Sequence, residues 1–308
     1  MTENVAASVH QRLLNRARAE ERPFNELLQY FAMERFLYRL GRSPYRDQFV
    51  LKGALMFIIW QAPFPRATRD IDLLGRMPND VDSVTTAVKD ICHVPVSHDG
   101  LRFAPETVSG ERIIEGAEYR GVRARFTGHL DRARISMQVD VGFGDPVTPH
   151  PIGIQWPTLL GFPAPELNGY TRESFVAEKV QAMVRLGEIN SRMKDFFDVW
   201  LLADRTNFEG EILAWALRET FEQRRTAVPR EPVALSGQFG QNPEKQTQWV
   251  AFLRRHRLTE KHGIPATLGD AIELIARFLR PAFEAIREGR RFDDRWPPGG
   301  PWVASWQP

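Results

Sequence analysis

Apolar residues recur at helical spacing near the start of the chain, where Leu13, Leu14, Leu27, Leu28, Phe31, Phe36, Leu37 and Leu40 predict helices over residues 5 to 40. Pro23 interrupts that stretch and predicts the start of a second helix, because proline suits a first helical turn. From Asp47 the pattern is mixed. "QFVL" is a short apolar run, Gly53 ends it, and "ALMFIIW" predicts one buried helix. Pro63 and Pro65 mark a loop, "TRDIDLL" reads as a strand, and residues 80 to 92 read as a further helix. From Val94 to Asp145 the text is strand-like. In "RISMQVDVGFG", Ile135, Met137, Val139 and Val141 alternate with Ser136, Gln138 and Asp140, so the apolar set takes one face and Asp140 the other. A proline-rich connection runs from Pro146 to Pro165, and helical patterning then continues to residue 290. The segment "RWPPGGPWVASWQP" has no periodicity. Its Trp296, Trp302 and Trp306 predict a segment docked onto a folded surface.

These elements predict an α+β fold in four segments: N-terminal helices over 1–45, an α/β core over 46–150, a helical domain over 151–290 and a Trp/Pro-rich tail over 291–308. With 41 Lys and Arg against 39 Asp and Glu, the net charge of +2 is too balanced for a generically basic nucleic-acid binder. The charge is locally uneven, however. Between Glu222 and His262, Arg224, Arg225, Arg230, Lys245, Arg254, Arg255, Arg257 and Lys261 outnumber the acids. Such a patch reads either as a phosphate-facing surface or as a solvated helix face. No apolar run is long enough to cross a membrane, and the first residues lack the apolar h-region of a secretory signal. A single cysteine, Cys92, excludes an internal disulfide and fits a reducing cytoplasm, where it reads as a small buried hydrophobe.

The chemistry concentrates at "RATRDIDLLG", where Asp70 and Asp72 flank Ile71. Side chains two apart on a strand share a face. Two carboxylates held that close repel, so one takes up a proton unless a cation compensates. Magnesium is hard, prefers oxygen ligands and commonly sits between carboxylates and substrate phosphates. A lone D-x-D recurs by chance, but two further features support a metal site. Gly53 falls where a strand-like run gives way to a helix-like one, and there it is either a plain turn glycine or a place where backbone N–H groups approach a phosphate. Asp140, alone on the polar face of its strand, becomes a third ligand if that strand pairs beside the D-x-D strand; taken by itself it is an exposed strand residue, and Asp145 is a rival for the role. Three carboxylates on adjacent strands can hold two metals.

A glycine-bearing strand-to-helix turn, then "RATRDIDLL", then a carboxylate on a later strand resembles the nucleotidyltransferase fold of the polymerase-beta superfamily. More narrowly, "FVLKGALMF" followed by "RATRDIDLLG", with "ESFVAEKVQAMV" and "RMKDFFDVWLL" downstream, resembles the AbiEii/MenT-like nucleotidyltransferase toxins over residues 25 to 205. The resemblance implies a mixed sheet core with N-terminal helices and a C-terminal helical domain. It also implies Mg2+-dependent transfer of a nucleoside monophosphate from an NTP to the 3′ end of tRNA, growth inhibition, and a cognate antitoxin. By the same resemblance Asp70, Asp72 and Asp140 hold metal, with two ions expected, and Lys52, Gly53, Ala54, Arg66 and Lys179 bind the nucleotide.

Lys179 lies at the edge of the stripe Val176, Val180, Met183 and Val184, on a helix predicted to start at Thr171; apart from the resemblance it is an ordinary flanking lysine. In the next helix Asp195 and Asp198 are neighbours on one side. The resemblance makes Asp195 catalytic, orienting Lys179 or a substrate hydroxyl, and gives Asp198 a supporting role; its bland reading is a pair with Lys194. One departure stands out: the turn reads Gly53-Ala54 where relatives usually carry Gly-Gly or Gly-Ser, and alanine offers a phosphate no hydroxyl. Arg66 either contacts phosphate or forms a salt bridge. Three other functions are compatible with these residues: AMP transfer to a protein, a nuclease using the same carboxylates, and an inactive scaffold that binds a partner.

Overall fold

Phe49, Val50 and Leu51 have no polar face between them, as suits a strand covered on both sides. The computed structural model, which describes residues 5–62, 68–115, 118–259 and 263–304, places them centrally in a seven-stranded mixed sheet. The chain divides into two compact units, the first of residues 1–145 and 151–170, the second of 146–150 and 171–308.

The first unit opens with α1 (Val5–Ala19) and α2 (Phe24–Gly41), the latter capped at Pro23. Then come β1 (Phe49–Lys52), a 3-10 turn over Gly53–Leu55, α3 (Met56–Ile59), β2 (Asp70–Gly75) and α4 (Val81–His93). Strands β3 (Leu101–Glu115), β4 (Glu118–Leu130), β5 (Ala133–Phe143), β6 (Ile152–Gln155) and β7 (Glu166–Gly169) complete the sheet. Its order is β3-β4-β5-β2-β1-β7-β6, with β2–β5 and β1–β7 parallel and the other pairs antiparallel. Phe36 of α2 packs on Phe103 and Phe126, at ring separations of 5.8 and 5.1 Å, which pins the helix to the sheet. Two expectations change here. "ALMFIIW" is not one helix but a 3-10 turn followed by a single turn of α-helix, and the proline-rich connection contains a strand, β6, paired to β7.

Helix α2 is buried almost all round, charged residues included. Arg39 meets Asp99 through two hydrogen bonds of 2.9 and 3.2 Å and donates to the Leu101 carbonyl. Glu34 accepts from the Leu159 N–H at 2.8 Å, and its burial pushes the carboxyl up to about 7. These bonds satisfy groups that would otherwise be costly to bury.

The second unit is mainly helical: α5 (Arg172–Leu186), α6 (Met193–Arg205), α7 (Gly210–Gln223), α8 (Gly237–Gln241), α9 (Pro243–Arg255) and α10 (Leu268–Glu288). Their starts follow local capping chemistry. The Thr171 side chain accepts from Ser174 N–H, Asn242 caps α9 just before Pro243, Thr267 caps α10, and Gly289 ends α10 in the left-handed region. A two-stranded ribbon joins β8 (Phe208–Glu209) to β9 (Arg295–Trp296). The tail is docked as expected. Trp296 is fully buried and donates to the Ala203 carbonyl at 2.6 Å, while Trp302 stacks on Phe278 and donates to its carbonyl. Trp306 lies outside the described residues.

Candidate active site

The first unit's register sets out the site. Antiparallel pairing of β1 and β2 puts Lys52 opposite Asp72, and parallel pairing of β2 and β5 puts Asp72 opposite Asp140. Antiparallel pairing of β5 and β4 then puts Asp140 opposite Arg123. Registered partners project to the same face of a sheet. Arg123, Asp140, Asp72 and Lys52 therefore form one row across four strands, with charges in the order plus, minus, minus, plus. Asp70 shares that face two residues along β2. Asp70, Asp72 and Asp140 are half-buried, while Ile71, Leu73, Val139 and Val141 between and beside them are sealed in the core.

The turn after β1 passes directly against this row. Gly53 has φ +71°, and a Cβ placed on it would lie 2.0 Å from Asp72 Oδ2. Glycine is thus required twice, by backbone conformation and by space. Ala54, which follows, is buried. At the ends of the row the cations are engaged. Lys52 Nζ stands 3.2 Å from Asp145 and 5.2 Å from the Tyr170 ring centre, so Asp145 is a lysine partner here. Arg123 grips Asp140 through both carboxylate oxygens, Nε to Oδ1 at 2.8 Å and Nη2 to Oδ2 at 2.7 Å, and this bonding pushes the guanidinium above its ordinary value. Gln138 adds a third, longer hydrogen bond to Asp140 at 3.3 Å. Arg69 is exposed, and Arg66 lies outside the described residues.

In the second unit, Lys179 Nζ lies 2.7 Å from Asp195 Oδ1, 2.8 Å from Asp198 Oδ2 and 4.7 Å from the Phe175 ring centre. Arg192 Nε reaches the other Asp195 oxygen at 2.8 Å. Burial opposes ionisation of Asp195, but Lys179 and Arg192 more than offset it and hold the carboxyl below its usual range. Asp198 touches Lys179 as closely as Asp195 does, so its part is larger than a local pair with Lys194.

The basic segment is less uniform than its sequence suggests. Lys245 is buried and donates to the Asn190 carbonyl, and Arg224 donates to Gln181. Arg225, Arg230, Arg254, Arg255 and Arg257 are exposed, and Lys261 is outside the described residues. The N-terminal arginines largely serve the fold: Arg12 and Arg16 donate to the carbonyls of Leu160 and Leu159, and Arg35 and Arg39 are buried. Cys92 is buried and its thiol is pushed up to about 12 by that burial, as befits a core residue. No helix among the described residues is long and apolar enough to cross a membrane.

The family model for AbiEii, a nucleotidyl transferase toxin of a type IV toxin–antitoxin system, matches residues 35–288. The chain belongs to the AbiEii nucleotidyltransferase toxin family. Among solved structures this AbiEii chain is similar to MenT4, a nucleotidyltransferase toxin from Mycobacterium tuberculosis, with a TM-score of 0.53 at 17% identity, covering 93% of this chain and 99% of that one. Two Helicobacter pylori structures also align: JHP933 (TM-score 0.48, 13% identity, 86% of this chain and 94% of that one) and a putative nucleotidyltransferase (0.47, 13%, 86% and 98%). No curated protein matches the chain.

For an AbiEii transferase the question is whether this row suits a divalent cation. Its donors do, being hard carboxylate oxygens from adjacent strands beside a backbone that only glycine allows so close. Among the described residues, though, no three acidic, imidazole or thiol side chains already converge as a cage, and both Asp140 oxygens are on Arg123. The sequence reading missed Arg123. Its signal is the alternation of Arg123 and Arg125 with buried Val122, Ala124 and Phe126, which puts two arginines on the polar face of the neighbouring strand.

Proposed function

We propose that this AbiEii-family chain transfers a nucleoside monophosphate from an NTP to the 3′ end of tRNA, in the cytoplasm, and thereby blocks translation and growth. The observation that carries this reading is the glycine turn lying against Asp72 in a row of carboxylates. Asp70, Asp72 and Asp140 would hold Mg2+, two ions being the expected complement, which when bound polarises the α-phosphoryl group and neutralises developing charge. The backbone at Gly53 and Ala54, with Lys52, Arg66 and Lys179, binds the triphosphate, and Asp195 positions Lys179. The acceptor hydroxyl then attacks the α-phosphorus, a phosphodiester forms and pyrophosphate leaves. Positioning of the two substrates supplies most of the acceleration.

Exposed Arg225, Arg230, Arg254, Arg255 and Arg257 offer sequence-independent phosphate contacts to the RNA, weakening as salt rises. The type IV toxin–antitoxin assignment of the family supports a cognate antitoxin as partner. The test is labelling of a tRNA pool with each of four α-labelled nucleotides, with and without Mg2+, by wild type and Asp72→Ala. Label in full-length RNA, dependent on Mg2+ and lost in the variant, is expected. Label in protein instead would indicate AMP transfer to a side chain, and shortened RNA a nuclease. Undiminished cellular toxicity of Asp72→Ala would leave only a binding scaffold.

A further inference from the structure

The charge row ends in a cation that no part of the transfer reaction uses. Arg123 is held to Asp140 by two short, charge-assisted hydrogen bonds, and Asp140 is the direct cross-strand neighbour of Asp72. Arg123 also feels the negative charge of Asp70 and lies 4.0 Å from Glu111. Its guanidinium is thus a positive charge standing among the very carboxylates that suit a divalent ion.

Two cations cannot share Asp140 without cost. Both of its oxygens face the guanidinium fork, and a dication brought to either oxygen would sit within a few ångströms of that positive group. The ion pair is also only partly screened, with Asp140 17% and Arg123 30% exposed at the side chain. We propose that Arg123 is a resident counter-cation of the carboxylate row, a positioning residue that holds Asp140 in the metal-free protein and competes with the divalent ion for it. The inference rests on the metal-binding reading of Asp70, Asp72 and Asp140. It adds that the third ligand is supplied by exchange: Asp140 leaves Arg123 as the ion binds. Metal-free protein is then stabilised against carboxylate repulsion, and the site's intrinsic affinity for metal is lowered.

Mn2+ titration of the full-length, metal-stripped chain, followed by electron paramagnetic resonance without nucleotide, tests this apart from activity. Arg123→Gln should bind Mn2+ about fivefold more tightly than wild type, the worth of a partly exposed ion pair. Its melting temperature in EDTA should fall and be raised more by Mn2+ than that of wild type. Arg123→Lys, which keeps the charge but loses the two-point grip, should change affinity in the same sense by less, and carries the test if Arg123→Gln does not fold. Adding Asp140→Asn to Arg123→Gln should abolish the gain. Equal or weaker Mn2+ binding by the Arg123 variants, with Asp72→Ala weakening it, overturns this inference alone. If Asp72→Ala also leaves Mn2+ binding unchanged, the metal reading itself falls.

Discussion

Asp195 and Asp198 are closed off from solvent with a lysine ammonium within 2.8 Å of both, whereas Asp70, Asp72 and Asp140 stand half-buried in a row whose cations lie at its two ends. The two clusters solve the same electrostatic problem differently. In the second unit the compensating charge is inserted between the carboxylates and buried with them, so the arrangement is costly to disturb. In the first unit three carboxylates share one half-buried face, and the fork of Arg123 meets Asp140 from a neighbouring strand, where solvent and a charged visitor can still reach the oxygens.

Four substitutions press on that contrast, beginning with the largest effect. Asp72→Ala should lower nucleotide transfer by more than about 10²-fold, since even outer-sphere changes at metal sites cost up to that much. Incorporation assays read the loss, and thermal unfolding in parallel checks that the variant remains folded. Gly53→Ala comes next, with transfer reduced by about 10²-fold through displacement of Asp72. It should also destabilise the chain by about 1–2 kcal/mol for an alanine held at positive φ, read by urea denaturation. An unaffected Gly53→Ala enzyme would break the link between the turn and the carboxylates.

Lys179→Met, third, should weaken nucleotide binding and also cost about 3–5 kcal/mol of stability, because two buried carboxylates lose their shared cation. Wild-type stability from Asp195 is present above the unfolded carboxyl value and is lost as pH falls through the lowered folded value. The variant, with Arg192 still on Asp195, should show a smaller acid-side loss in a urea midpoint-against-pH series. The smallest change is expected for Glu34→Gln. The Glu34 carboxyl titrates at about 7 when folded against 4.5 as the ordinary value, so the native state holds the extra proton between those values. Stability from this group is therefore full at pH 4.5 and declines as pH rises toward 7. The glutamine variant should melt higher than wild type at pH 8 and nearly equal to it at pH 5.

Much of the sheet was legible because burial dictates alternation. The period of two in Ile135, Met137, Val139 and Val141 is enough to put Asp140 on the polar face, and the spacing of Asp70 and Asp72 enough to put them together. That Asp140 stands opposite Asp72 is another matter. It depends on which strands become neighbours, a choice made by tertiary packing and invisible in either segment alone. Arg123 escaped for the same reason, whereas the supporting role that the resemblance gave Asp198 agrees with its contact to Lys179. Helix α2 misleads in the opposite direction: Glu34, Arg35 and Arg39 mark a polar face in the text, yet Asp99 and the carbonyls of Pro163 and Leu101 let that face be buried. Lys245 and Arg224 likewise counted toward a basic surface until Asn190 and Gln181 took their donors.

The ribbon between β8 and β9 has a consequence for the integrity of the helical unit. Phe208 pairs with Trp296, so the intervening chain, including α7 through α10, is fastened at both ends into a closed ring without a covalent link. A single proteolytic nick in a loop of that ring leaves each fragment still tied at the ribbon, with the Trp302 ring stacked on Phe278 as a second fastening. Loss of the ribbon would remove one of these two fastenings and lengthen the loop left to be closed by the other. The closure of this half of the chain is therefore a property of two residue pairs, Phe208 with Trp296 and Phe278 with Trp302, and of no covalent link.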